Sequence, residues 1–185
     1  MTQNNKIQRF AFFGMIASGF GIAVLLSLFT AMAIYLVGGL QGFDLAQEIG
    51  VSAVTGELSF AARAVGLFFW LMTDLLGLWF CCVAFALFRG FRSGGVFTLS
   101  AALHLRKIGW LIFALAPVSL ISEALGTLAV TCLSNCGNEI ANDVQISVSF
   151  DDTDVYALVI GVLIVAVGHI FVEAVRISDE NNAFV

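Results

Sequence analysis

Residues 10–37 read FAFFGMIASGFGIAVLLSLFTAMAIYLV, a run without one charged side chain. As α-helix these residues reach about 42 Å, whereas the hydrocarbon core of a bilayer is about 30 Å thick. The run is long enough to cross with tilt to spare. Lys6 and Arg9 precede it and Ala31-Met32-Ala33 has the form of a signal-cleavage site, so a removable secretory signal is the competing reading. The apolar stretch ahead of that site is about 20 residues, longer than the roughly 7–15 of a signal core, which favours a retained helix.

Three further runs have the same character: Ala64–Phe88, broken only by Asp74; Ile108–Val130, containing Pro117 and Glu123; and Val155–Val175, containing His169 and Glu173. Across the 185 residues the set AVILMFWYC makes up 60%, charged residues only 11%, and mean hydropathy is +1.00. A soluble domain carries about a quarter charged residues, so this composition excludes one, and a single Pro with no low-complexity tract argues against disorder or a fibrous chain. The pattern predicts an all-α membrane protein over residues 1–185, with four transmembrane helices at about 10–37, 64–88, 108–130 and 155–175 in an up-down bundle.

Basic residues are retained on the cytoplasmic side of a membrane. Lys6, Arg9, Arg89, Arg92, Arg106, Lys107 and Arg176 fall on one side of the four runs, and only Arg63 on the other. This places both termini in the cytoplasm and leaves Asp44, Glu48, Glu57, Glu139, Asp143, Asp151, Asp152 and Asp154 outside. The formal net charge of −5 thus follows from side-sorting and implies no acidic function.

Two connections have patterns of their own. Val144, Ile146, Val148 and Phe150 alternate with Gln145, Ser147 and Ser149, which predicts a half-buried strand over Gln145–Phe150; Val51–Phe60 offers a partner, giving a small extracytoplasmic β element. Between runs two and three, Leu99, Leu103 and the stem of Arg106 share a helical face behind a capping Thr98. That predicts an amphipathic lead-in lying at the headgroups.

Ionisable groups inside a span cost several kcal/mol, so they are the first candidates for function. Asp74 lies about 16 Å and Glu123 roughly 10 Å in from the outer ends of their runs. If they face each other they form a candidate proton or cation site, for two carboxylates in one dry site cannot both ionise. The plainer reading is that each is neutral, or hydrogen-bonded to Thr73, Ser119 or Thr127, and joins helices. His169, Glu173 and Arg176 share one face of the fourth run, and Arg106 and Lys107 begin the third at similar depth. They suggest an ion-pair network fixing the helix ends, or a surface titrating at His169. One His and one Glu are too few for a metal site.

Cys132 and Cys136 would stand in an oxidising compartment, where a disulfide is permitted though spacing alone does not establish it; Cys81 and Cys82 read as packing residues. Small residues at helical spacing, among them Gly14, Ser18, Gly21, Gly109, Gly126, Gly161 and Gly168, mark faces where backbones approach. No phosphate loop, nucleophile elbow or zinc-protease motif is present, so neither an enzyme nor a cofactor is expected. Four basic residues over the second connection fit orientation or anionic headgroups better than direct nucleic-acid binding.

The stretch Arg89-Gly90-Phe91-Arg92-Ser93-Gly94-Gly95-Val96-Phe97-Thr98, the following Leu105-Arg106-Lys107-Ile108-Gly109-Trp110, and the closing Glu173–Val185 with its Glu180-Asn181 and final Phe184-Val185 resemble a bacterial family of four-helix membrane proteins of unknown function. The sequence departs from that family at Ser100-Ala101-Ala102, where members often carry a more polar helix start. Members are often encoded beside a small Cro/CI-like helix-turn-helix regulator. The resemblance therefore implies a bacterial inner-membrane protein that acts by contact with a cytoplasmic DNA-binding partner. Its contact surface would be Arg89, Arg92, Arg106 and Lys107 with the tail from Ser178 to Val185. A small transporter or channel using Asp74 and Glu123 is the alternative.

Overall fold

The computed structural model describes residues 2–38, 59–93, 98–135 and 146–182. Regular structure among these residues is α-helical throughout: α1 is Thr2–Gly38, α2 Phe60–Arg92, α3 Leu99–Asn135 and α4 Asp152–Asn182. All four are long and apolar enough to cross a membrane. The shortest, α4, has 31 residues, or about 46 Å of helix, so each runs past the apolar stretch that announces it.

Local chemistry sets the ends. Ser59 caps α2, its hydroxyl accepting from the Ala62 N–H at 3.2 Å, and Arg89 and Arg92 occupy the last turn, where cations complement the helix dipole. Asp152 and Asp154 do the converse in the first turn of α4. Thr98 caps α3 as its sequence suggests, accepting from the Ala101 N–H at 3.3 Å. The lead-in that follows is not a separate helix at the headgroups, however. Leu99 to Lys107 contains no Gly or Pro to interrupt it, so it continues into the apolar run as one helix to Asn135.

The β element is also corrected. Residues 146–150 form no strand, Phe60 opens α2, and residues 51–58 and 144–145 lie outside the described residues. The backbone of 146–150 finds side-chain partners on α3 instead of a neighbouring strand: Ser147 N–H donates to Thr127 Oγ1 at 3.2 Å and Ser149 N–H to Glu123 Oε2 at 3.1 Å. Its alternation is inverted relative to a half-buried strand, with the serines turned toward α3 while Ile146, Val148 and Phe150 stay exposed.

Two compact units make up the chain. The first comprises Met1–Val24, Leu76–Ala116 and Asp152–Val185. Here a Cβ added at Gly14 would meet the Phe88 ring at 2.5 Å and one at Gly21 would meet Cys81 Sγ at 3.0 Å. A step of seven residues forward along α1 is thus a step of seven backward along α2, which makes the pair antiparallel. The same mirrored steps relate α3 and α4: Gly168 sits on Arg106, Gly109 on Val165 and Gly161 on Phe113. An added Cβ at these three would lie 2.9, 2.6 and 2.6 Å from main-chain atoms, so the two backbones are in direct contact. Val83, Ala84, Leu87, Ala101 and Ile108 form this unit's buried core.

The second unit comprises Leu25–Leu75 and Pro117–Asp151. Met32, Tyr35, Ala62, Leu67 and Val130 form its core. Fully buried hydroxyls accompany them: Thr127 Oγ1 donates to the Glu123 carbonyl at 2.9 Å and Thr131 Oγ1 to the Thr127 carbonyl at 2.6 Å, so neither is left unpaired in an apolar interior. On the outside of the first unit, Phe10, Phe20 and Ile170 are at least 70% exposed. A surface of that kind is solvated by lipid, not water.

Candidate functional site

In the second unit, Gly66, Phe69, Trp70, Thr73 and Asp74 recur every three or four residues on α2, and Ser119, Ser122, Glu123 and Gly126 do so on α3. Each set lies on one helical face, and the two faces line a cleft of about 320 Å³ with Ser149 at its side. Two carboxylates and four hydroxyls supply its polar atoms, two aromatic rings its apolar wall, and among the described residues no Lys, Arg or His lines it.

The two carboxylates are differently placed. Glu123 is engaged: its oxygens accept from Ser149 Oγ at 2.8 Å, Ser149 N–H at 3.1 Å and Ser147 Oγ at 3.4 Å. A carboxylate accepts about four hydrogen bonds, so these three donors nearly saturate it. Asp74 is half-buried and has no hydrogen-bond or ion-pair partner among the described residues. Glu123 therefore secures the 146–150 segment, and Asp74 is the acceptor the cleft leaves open.

The other residues singled out in the sequence are dispersed. Arg176 pairs with Glu173 at 2.8 Å and with Glu180 at 3.6 Å, all on α4 and more than half exposed. His169, Arg106 and Lys107 are not joined to them by a hydrogen bond or ion pair among the described residues; the backbone of Arg106 packs on Gly168. Arg89 and Lys107 are exposed, and Arg92 stacks over the Phe12 ring with Cζ 5.5 Å from its centroid. Cys132 is exposed on α3, and Cys136 lies outside the described residues, as does the end of the tail beyond 182. No group of three or more His, Cys, Asp or Glu that could hold a metal ion occurs among the described residues.

Sequence reasoning did not give Ser147 and Ser149 a part in the site. The signal was present, since a serine at every second position can satisfy a buried carboxylate as well as it can face water.

Four helices long and apolar enough to cross a membrane, with no strand among the described residues, define an all-helical, multi-pass membrane protein. The chain belongs to the family described as "Protein of unknown function (DUF2975)", whose model matches residues 78–185. That stretch takes in Glu123, Ser147 and Ser149 of the cleft and both sequence patterns from Arg89 and from Glu173; Asp74 precedes it. No curated protein matches the chain, and no solved structure does.

Proposed function

We propose that this chain is a non-enzymatic bacterial inner-membrane protein, with both termini cytoplasmic, that binds a small cation in the acidic cleft as part of a transporter or channel. One observation carries the reading: Asp74 and Glu123, from different helices, line the same cleft with no basic residue beside them among the described residues. Uncompensated acidic groups at membrane depth are costly, and a cation arriving between them removes that cost. The oxygens of Thr73, Ser119 and Ser122 are placed to replace its lost water, and the faces of Phe69 and Trp70 attract positive charge. The donor set is one of oxygens, suited to a proton, an alkali cation or a protonated amine. Flux of H⁺, Na⁺ or K⁺ into proteoliposomes is the test. Asp74→Asn should abolish it and Glu123→Gln should reduce it severalfold; flux indifferent to both substitutions refutes the reading.

A second reading has its own observation. Arg89 and Lys107 are exposed and form no ion pair among the described residues, leaving positive charge available to a cytoplasmic helix-turn-helix regulator. A two-hybrid assay against a helix-turn-helix regulator from the same genome, with Arg89→Gln and Lys107→Gln, tests it; no binding, or undiminished binding by the double variant, removes this surface.

A further inference from the structure

The first unit holds a cavity of opposite sign. It measures about 650 Å³ and is lined by Gln8, Arg9, Phe12 and Phe13 of α1 and Arg92 of α2. That volume lies within the roughly 300–1,000 Å³ of small-molecule sites. Its existence follows from the antiparallel α1–α2 register: with Gly14 seated on Phe88, the turns before Gly14 come level with the last turn of α2. Arg9 is the third residue of its apolar span, which begins at Ile7, and Arg92 is the last residue of its own. Residues at the ends of membrane spans fall at headgroup depth.

Neither has a carboxylate or any hydrogen-bond partner for its side chain among the described residues. In the same unit Arg176 is bracketed by Glu173 and Glu180, whereas Arg89 and Lys107 also lack such a partner; Arg9 and Arg92 differ from those two in lining one cavity together. The dipole of α2 accounts for a cation at Arg92, but it gives no reason for a second one across from it at Arg9. The Arg92 guanidinium lies over the Phe12 ring, a contact that uses its charge and none of its N–H donors. Arg9 and the Gln8 amide add donors from the α1 side. Such a site calls for an anion with several acceptor oxygens, the geometry at which guanidinium is most effective. Phe12 and Phe13 are 46% and 68% exposed, and a free inorganic anion would leave that apolar area uncovered.

We propose that this pocket binds the phosphodiester headgroup of an anionic phospholipid. Arg9 and Arg92 take the phosphate oxygens, and Phe12 and Phe13 lie against the first part of the acyl chains. The site is independent of the cation reading of the acidic cleft.

Native mass spectrometry of the full chain from detergent, titrated with phosphatidylglycerol, phosphatidylcholine or inorganic phosphate, tests this. Phosphatidylglycerol should bind at least tenfold more tightly than phosphatidylcholine, and inorganic phosphate should not displace it. Arg9→Gln with Arg92→Gln should erase the preference, while Arg89→Gln with Lys107→Gln, the same loss of charge outside the pocket, should keep it. Arg9→Lys with Arg92→Lys, which preserves charge and folding but not the planar fork, should fall between the two. Equal binding of the two lipids overturns the proposal, as does displacement by phosphate or an equal loss in both glutamine pairs.

Discussion

In the first unit α3 and α4 meet through Gly109, Gly161 and Gly168, where an added methyl would lie 2.6–2.9 Å from main-chain atoms; in the second, Gly126 leaves 3.3 Å to Phe69 Cβ. The first unit thus packs backbone on backbone, and the second leaves room for a polar cleft whose carboxylate and hydroxyls bond to main chain and side chain. Lipid supplies no hydrophobic drive between helices, so association rests on close contact or on internal hydrogen bonds. Each unit relies mainly on one of the two. The unit with the looser α2–α3 contact is the one that holds the acidic cleft.

Substitutions can break this contrast. The largest effect is expected for Gly161→Ala, whose methyl would strike the Phe113 main chain. A loss near the upper end of the 1–3 kcal/mol typical of overpacking should appear as a lower thermal midpoint in detergent. Glu123→Ala leaves the Ser149 N–H and two serine hydroxyls without their acceptor. A loss of about 2 kcal/mol is expected, seen as faster amide exchange at Ser147 and Ser149 while α4 stays protected. Ser149→Ala removes one hydroxyl but keeps the main-chain bond, so about 1 kcal/mol and a smaller rise in exchange should follow. Gly126→Ala should cost under about 0.5 kcal/mol, because at 3.3 Å from Phe69 Cβ the methyl asks the two helices to part by only a few tenths of an ångström. If Gly126→Ala proves as damaging as Gly161→Ala, the distinction between the units fails. Glu180→Gln, removing a 3.6 Å contact on an exposed helix face, should change the midpoint least of all.

The helices were legible because uninterrupted apolar runs long enough to cross a bilayer have no other economical structure. Asp74 and Glu123 stood out for the complementary reason, since an ionisable group within such a run is costly and rare. Residues 146–150 misled because alternation gives a period but not a direction. In water the apolar side turns inward, whereas beside lipid the serines can turn inward to Glu123 and leave Ile146, Val148 and Phe150 outside. The lead-in misled because Arg106 and Lys107 resemble an interfacial boundary, while nothing in Leu99–Lys107 stops a helix. Arg9 and Arg92 could not be paired from sequence, for their proximity depends on the α1–α2 register.

The glycine seam also constrains spacing in a way hydropathy does not reveal. Arg106, Gly109 and Phe113 engage Gly168, Val165 and Gly161 like teeth on two racks. Inserting one more leucine between Gly109 and Phe113 would suit the lipid perfectly well, yet it would swing every later tooth by about 100° and disengage the racks.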